Sequence, residues 1–374
     1  MKILHINCNY MGTKLHQIMI EHLNKYTNEN VIYCPIYKGS RIVTKPNENV
    51  IVSRCFNIFD RLFYFNKQKK IYKDIIGRIN VNDFNIIHAY TLFTDGNVAY
   101  NLHNKYDIPY VVAIRGTDVD YFYRYKFYLK KRGEKILKNA KKIFFLSDSY
   151  RKVMMNNYIS EKFKEELLEK SIIIPNGIDD FWLNNTFNDK NLEQINKRIN
   201  KKKIKILLVG KISKIKNIDF AIKVVHKLAE EGWTVSFDVV GEIEDYRYFN
   251  KLKKSNLFNY LGEMNKENLL KCYREHDIFL LPSKTETFGL VYAEAMSQGL
   301  PVIYTKNQGF DNQFEDGTIG YSINIQDLNC CIDSINKICS NYDYYYYNCI
   351  KAVKKFNWND ICNDYIKVYE EKSK

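Results

Sequence analysis

Short apolar runs alternate with longer amphipathic stretches along the whole chain. Lys2–Asn7, Val50–Val52, Asn85–Ala89, Pro109–Ile114, Lys142–Leu146 and Ser171–Pro175 are each short and apolar enough to be buried strands. Between them lie helical patterns. A strand-helix alternation of this kind predicts a parallel, doubly wound sheet. The segment 184–203 is polar and rich in Asn and Lys, as a connection is. The alternation then starts again at Ile204-Lys205-Ile206-Leu207-Leu208-Val209-Gly210, with further strands expected at Val235–Val240, Asn259–Leu261, Ile278–Leu281 and Pro301–Tyr304. At the C-terminal end, Trp358, Ile361, Tyr365 and Val368 recur at helical spacing, which predicts an amphipathic terminal helix. No repeat of fixed period is present.

The length of 374 residues suits two α/β cores, and 45% hydrophobic with 15% aromatic residues is enough to fill them. No apolar run approaches the length of a bilayer span, and the apolar stretch at Met1–Asn7 is too short for a signal peptide. Nine cysteines without a C-x-x-C pair or metal spacing point to reduced thiols and a cytoplasmic location. The net charge of +14 is uneven: residues 1–180 carry +11 and residues 181–374 carry +3. A basic first half implies an anionic partner, whether nucleic acid, anionic lipid or a phosphate-bearing substrate. Zinc-finger spacing, an RRM signature and a GXXG loop are lacking, which weighs against nucleic acid.

The chemistry concentrates in Pro282-Ser283-Lys284-Thr285-Glu286-Thr287-Phe288-Gly289-Leu290-Val291-Tyr292-Ala293-Glu294-Ala295. An apolar run precedes it. A helical pattern from Leu290 to Gln298 follows, with Gly299 placed to end the helix and Pro301 to block its continuation. Strand, tight loop and helix start together offer free N–H groups to an anion, and Gly289 lets the backbone approach it. Glu286 and Glu294 flank that position. If fully helical, eight residues span about 12 Å, the scale of a sugar-diphosphate-ribose unit, so one carboxylate can serve each end. The plain alternative is a strand and an amphipathic helix with two surface glutamates.

As a unit, this string resembles the E-x7-E signature of retaining nucleotide-sugar glycosyltransferases, glycosyltransferase family 4. The resemblance implies an α/β fold of the GT-B kind, two facing Rossmann-like domains with a cleft between them. It implies domains at 1–183 and 204–355, joined by 184–203, with the helix 356–374 packing back on the first. Val209-Gly210-Lys211 through Lys216-Asn217 is similar to the family's V-G-R-x-x-x-x-K-G segment, with Lys211 for Arg and Asn217 for Gly. Lys211 supplies charge without a bidentate fork. Pro175-Asn176-Gly177-Ile178-Asp179, Val240-Gly241 and Leu261-Gly262-Glu263-Met264 match further segments.

By the resemblance, the donor contacts are Gly12, Gly210, Lys211, Lys216, Gly241, Leu261, Met264, Glu286, Thr287, Phe288, Gly289, Leu290 and Glu294. Glu286 is expected at the donor sugar and Glu294 at the ribose. Arg115-Gly116-Thr117-Asp118 is similar to an H-G-x-D loop with Arg115 at the His position, which adds Arg115 and Asp118 to Glu286 as catalytic candidates. Arg115 stays charged and cannot act as a neutral base. His88 is read as packed at a strand end. Asp118-Val119-Asp120 spells D-x-D, but two carboxylates without a phosphate loop make a poor magnesium site, so no metal and no cofactor are expected.

The expected activity is transfer of a sugar from a nucleoside diphosphate sugar, UDP foremost, with retention. The acceptor is a hydroxyl of a glycan or lipid-linked molecule, in assembly of capsule, lipopolysaccharide or another surface polysaccharide. The location is cytoplasmic, peripheral on the inner membrane face. Two aromatic-basic stretches, from Arg54 to Ile71 and from Tyr121 to Arg132, suit anionic membrane, single-stranded nucleic acid or an ordinary helix surface. Rival readings are a nucleotide-sugar epimerase of the same architecture, a basic nucleic-acid-binding protein, and a sugar-nucleotide binder that has lost catalysis.

Overall fold

The computed structural model describes the chain except Asn28, Arg41, residues 43–45, Asn47, 188–190 and 372–374. Parts of the expected connection 184–203 and of the terminal segment 356–374 therefore lie outside the described residues. The chain divides into two compact units. One holds Met1–Leu146, Tyr150–Pro175 and Trp358–Lys374; the other holds Ser147–Ser149 and Asn176–Asn357.

The first unit is built on seven parallel strands: β1 (Lys2–Ile6), β2 (Glu29–Tyr37), β3 (Val50–Phe56), β4 (Ile86–Ala89), β5 (Tyr110–Ile114), β6 (Lys142–Phe145) and β7 (Ser171–Ile173). Their order is β3-β2-β1-β4-β5-β6-β7. The apolar runs are the interior of this sheet: every residue of β4 and β5 is buried. β2 has no counterpart among the expected strands. Its Pro35 argues against a strand interior, yet Pro35 pairs with Ser53 of β3, and the register shifts between Pro35 and Tyr37. A parallel ladder tolerates a missing donor there because the strand changes its pairing at that point.

The terminal helix Trp358–Glu370 belongs to this unit. Trp358, Ile361, Tyr365 and Val368 are buried with Met19, Ile20 and Leu23 of the helix Lys14–Leu23. Burial of each such side chain contributes about 1.5–3 kcal/mol relative to exposure. His88 is fully buried in β4, its Nδ1 2.6 Å from the Tyr369 hydroxyl.

The second unit has six parallel strands: β8 (Lys203–Val209), β9 (Thr234–Val240), β10 (Asn259–Tyr260), β11 (Ile278–Leu281), β12 (Val302–Thr305) and β13 (Gly320–Ile323). Their order is β10-β9-β8-β11-β12-β13. β13 was not expected from the sequence. It is four residues long and begins at Gly320, where a Cβ would lie 1.9 Å from the Val302 carbonyl oxygen. Within the segment 184–203, Leu192–Asn200 forms a helix, because Ile195 and Ile199 lie four apart and both are buried.

Both sheets reverse their winding at one place. In the second unit β8 is central, with β9 on one side and β11 on the other. The crevice beyond the carboxyl ends of two such strands is where open α/β sheets bind ligands.

Candidate functional site

Two loops leave the carboxyl ends of β8 and β11. The first runs from Gly210 to Asn217 and enters the helix Ile218–Glu230; the second runs from Pro282 to Gly289 and enters the helix Leu290–Ser297. The Lys284 N–H donates to the Ile215 carbonyl at 2.8 Å and ties them together. Ile212 anchors the first loop, fully buried and donating its N–H to the Glu242 carbonyl at 2.8 Å. Asn217 takes a left-handed conformation at φ 57° as that loop enters its helix. Asn tolerates this region better than other side-chain-bearing residues, which explains how it stands where the resembled family has Gly.

The loops bring Lys216 and Glu286 together. Lys216 Nζ donates to Glu286 Oε2 at 2.6 Å, with both side chains largely enclosed. The Lys216 chain runs along Gly210, where an added Cβ would meet its Cε at 3.4 Å. Glu286 is also held through its backbone. Its N–H donates to Gln308 Oε1 at 2.9 Å, and its carbonyl accepts from the Gly309 N–H at 2.8 Å. Gln308 and Gly309 follow β12 and are absent from the sequence-derived candidates. The only signal for them is a Gly just after a buried strand.

Phe288 is buried against Phe310 and Phe356, so its side chain belongs to the core and only its backbone serves the loop. Gly289 has φ 79°, a left-handed conformation that L side chains rarely adopt, and it starts the helix at Leu290. Thr287 is half-buried. One turn into the helix, Glu294 accepts from the Tyr273 hydroxyl at 3.4 Å. Burial raises its carboxyl from 4.5 to about 7, and the Tyr273 hydrogen bond and the Lys266 charge oppose the rise.

Between pH 4.5 and 7 the folded protein thus keeps a proton that the unfolded chain has released. The contribution of Glu294 to stability falls as pH rises through that window and is constant above it. Glu294→Gln, which cannot ionise, is expected to raise Tm relative to the parent at pH 8, with the difference shrinking at pH 5. Melting curves of both proteins at the two pH values check this; a pH-independent difference would contradict it.

The remaining donor candidates in this unit line neighbouring strand ends. Lys211 is exposed and pairs with Glu242 at 3.1 Å, a contact of little energy that leaves its ammonium available to a ligand. Gly241 packs on Gly210: a Cβ on it would lie 2.1 Å from the Gly210 carbonyl oxygen. Leu261 is exposed and Met264 half-buried in the loop after β10. Lys216, Gly210 and Glu286 are therefore in one cluster. Lys211 and Gly241 adjoin it through Gly210, and Glu294 sits by Tyr273.

Gly12, Arg115 and Asp118 belong to the first unit. Gly12 closes a turn after β1. The Asp118 carboxylate accepts from the backbone N–H groups of Leu92, Phe93 and Arg115 at 3.1, 3.2 and 3.0 Å. It fastens the loops after β4 and β5 together, and burial raises it from 3.8 to about 6. Arg115 is buried and donates from Nε to the Tyr90 carbonyl at 3.3 Å. Asp120 accepts from the Tyr150 hydroxyl at 3.1 Å, so the two carboxylates of D-x-D have separate structural partners.

Comparison with known proteins shows what this chain resembles. Residues 189–356 match the model of the family described as glycosyl transferases group 1. An uncharacterized 41.2 kDa protein in the cps region of Klebsiella pneumoniae is 31% identical over 189 residues, 48% of this chain and 51% of that protein. The uncharacterized glycosyltransferase MJ1178 of Methanocaldococcus jannaschii is 27% identical over 87% of this chain and 86% of its own length. Among solved structures, sucrose-phosphate synthase from Thermosynechococcus elongatus superposes with a TM-score of 0.73 at 17% identity, covering 98% of both chains. Anabaena Alr3699/HepE in complex with UDP and glucose superposes at 0.69 and 15% identity, again over 98% of both. At these identities the likeness is one of fold, and the fold of this chain is GT-B.

Proposed function

We propose that this protein is a retaining glycosyltransferase of family 4 that moves a sugar from a nucleoside diphosphate sugar to an acceptor hydroxyl without a metal. The observation that carries the reading is the Lys216–Glu286 contact, made by two loops at the reversal point of the second sheet. A cation and a carboxylate there are the two charges such a donor requires. The superfamily match over the same residues, and the UDP bound in a protein of like fold, support the donor class.

In this reading the diphosphate lies against the backbone of Phe288, Gly289 and Leu290, with Lys211 and Lys216 neutralising the charge that grows as it leaves. Glu286 holds hydroxyls of the donor sugar, and Glu294 holds those of the ribose. The bond between the sugar's anomeric carbon and the diphosphate oxygen breaks. A bond to the acceptor oxygen forms on the same face, and the leaving phosphate takes the acceptor proton. No enzyme nucleophile is involved, so the protein contributes position and electrostatics. Asp118 acts by shaping the first unit's loops, and Arg115 offers a fixed positive charge to an anionic acceptor. The acceptor is a glycan or a lipid-linked molecule in cytoplasmic assembly of a surface polysaccharide, in keeping with the cps-region relative.

The test is thermal denaturation of the protein with UDP-, GDP- and ADP-sugars, each with and without EDTA. Binding to the folded state raises Tm by mass action. A rise with UDP-sugars that EDTA leaves unchanged, together with turnover into an acceptor, is expected. No rise with any sugar nucleotide would overturn the reading.

A further inference from the structure

Half of the large hydrophobic side chains that are exposed among the described residues lie in two short segments of the first unit, 58–65 and 121–128. They include every exposed Phe, with Phe59 at 73% and Phe127 at 75% accessibility. Ordinary helix surfaces scatter such residues singly; a cluster needs a partner. The two segments form one patch, since the Tyr64 and Phe122 rings stand 6.4 Å apart. The patch is also basic. Residues 58–73 carry five Lys and Arg against Asp60, and residues 121–135 carry six against Glu134. Both acids are engaged within the protein, Asp60 by Lys70 at 2.7 Å and Glu134 by the Ser160 N–H at 2.9 Å.

A cavity of about 560 Å³ opens through this patch, with Arg61, Leu62, Tyr121 and Lys126 at its wall. Deeper in, Lys67 Nζ is 3.4 Å from Thr94 Oγ1 and 4.9 Å from the centre of the Phe56 ring. Lys67 forms no ion pair among the described residues; desolvation lowers its pKa, and the nearby Cys8 and Asp95 only oppose that shift. An anion entering the cavity would give this ammonium a direct ion pair.

We propose that this patch seats on an anionic lipid bilayer, with the cavity mouth facing the headgroups and Lys67 receiving a lipid phosphate. Exposed Phe and Leu side chains enter the acyl boundary while the surrounding Lys and Arg meet anionic headgroups. Ile58 and Leu62, both highly exposed, favour lipid over single-stranded nucleic acid, because aliphatic side chains give bases no face to stack on. The docking rests on the first unit's surface alone and stands independently of the donor site. Joined to the proposed function, it makes the acceptor a phosphate-bearing molecule anchored in the bilayer.

The experiment is co-sedimentation of the whole protein with vesicles of phosphatidylcholine alone, or with about one quarter phosphatidylglycerol as the anionic component. Binding is expected only to the anionic vesicles, weakening as salt is raised. Lys69→Glu with Lys131→Glu is expected to lower the partition coefficient by at least about tenfold. Phe59→Ser with Phe127→Ser is expected to lower it by a similar factor while the Tm stays unchanged, since both side chains are in water. Equal binding to both vesicle types, or undiminished binding of either variant, would overturn the proposal. So would tighter retention on single-stranded RNA than on anionic vesicles at the same salt.

Discussion

Glu286→Ala is expected to lower turnover by about a hundredfold to a thousandfold while nucleotide affinity changes by less than about threefold, because a contact realised mainly in the transition state affects rate rather than binding. Two features of the fold sharpen this. The carboxylate meets Lys216 at 2.6 Å, so its loss also frees the cation that is to neutralise the leaving diphosphate. The loop itself is held by backbone contacts to Gln308 and Gly309, which the substitution does not touch, so the variant should fold. Lys216→Met removes the other partner and should cost turnover similarly. The double variant should lose less than the sum of the two in free energy, since one contact is removed twice. Turnover with a radiolabelled donor, beside calorimetric titration with the free nucleoside diphosphate, separates the two effects. Equal loss of turnover and nucleotide affinity in Glu286→Ala would place this carboxylate in ground-state binding and remove its proposed role.

The pattern of apolar runs revealed most of both sheets because central parallel strands are buried on both faces and are therefore continuously apolar. β5 and β11 are such strands, and their boundaries in the structure lie within a residue of those the sequence implied. β2 escaped because Pro35 argues against an interior strand and its burial is interrupted at Val31. β13 escaped because a four-residue strand opening on Gly carries almost no periodic signal. The same distinction holds in the site. Lys216 and Glu286 stand in strings dense enough to be noticed, and the structure joins them. Gln308 and Gly309 act through a carbonyl, an amide N–H and the lack of a side chain, none of which a local motif encodes. Asp118 was visible as an acid, but its three backbone donors, which make it a fastening between loops, come from the fold.

Gly309→Ala tests that hidden part of the site. A Cβ at this position would lie 1.9 Å from the Thr287 carbonyl oxygen and 2.7 Å from that of Glu286. Both atoms are backbone, so no side chain can turn aside, and the loop 286–287 must retreat by about 1 Å, a misplacement on the scale that costs about a hundredfold in rate. The expected result is that loss of turnover, with a stability decrease of about 1–3 kcal/mol from overpacking. Gln308→Leu is the milder companion. It leaves the Glu286 N–H without its acceptor but adds no steric conflict, at a cost of about 1–3 kcal/mol in stability if water does not replace the amide. Gly77→Ala, in the helix Tyr64–Arg78 with open space around it, should instead stabilise the protein by about 0.5–1 kcal/mol and leave turnover unchanged. Urea titration and steady-state kinetics on the three variants give both quantities. A Gly309→Ala protein that turns over at the parent rate would mean that the loop carrying Glu286 moves during the reaction. The Gln308 and Gly309 contacts would then describe only its resting position.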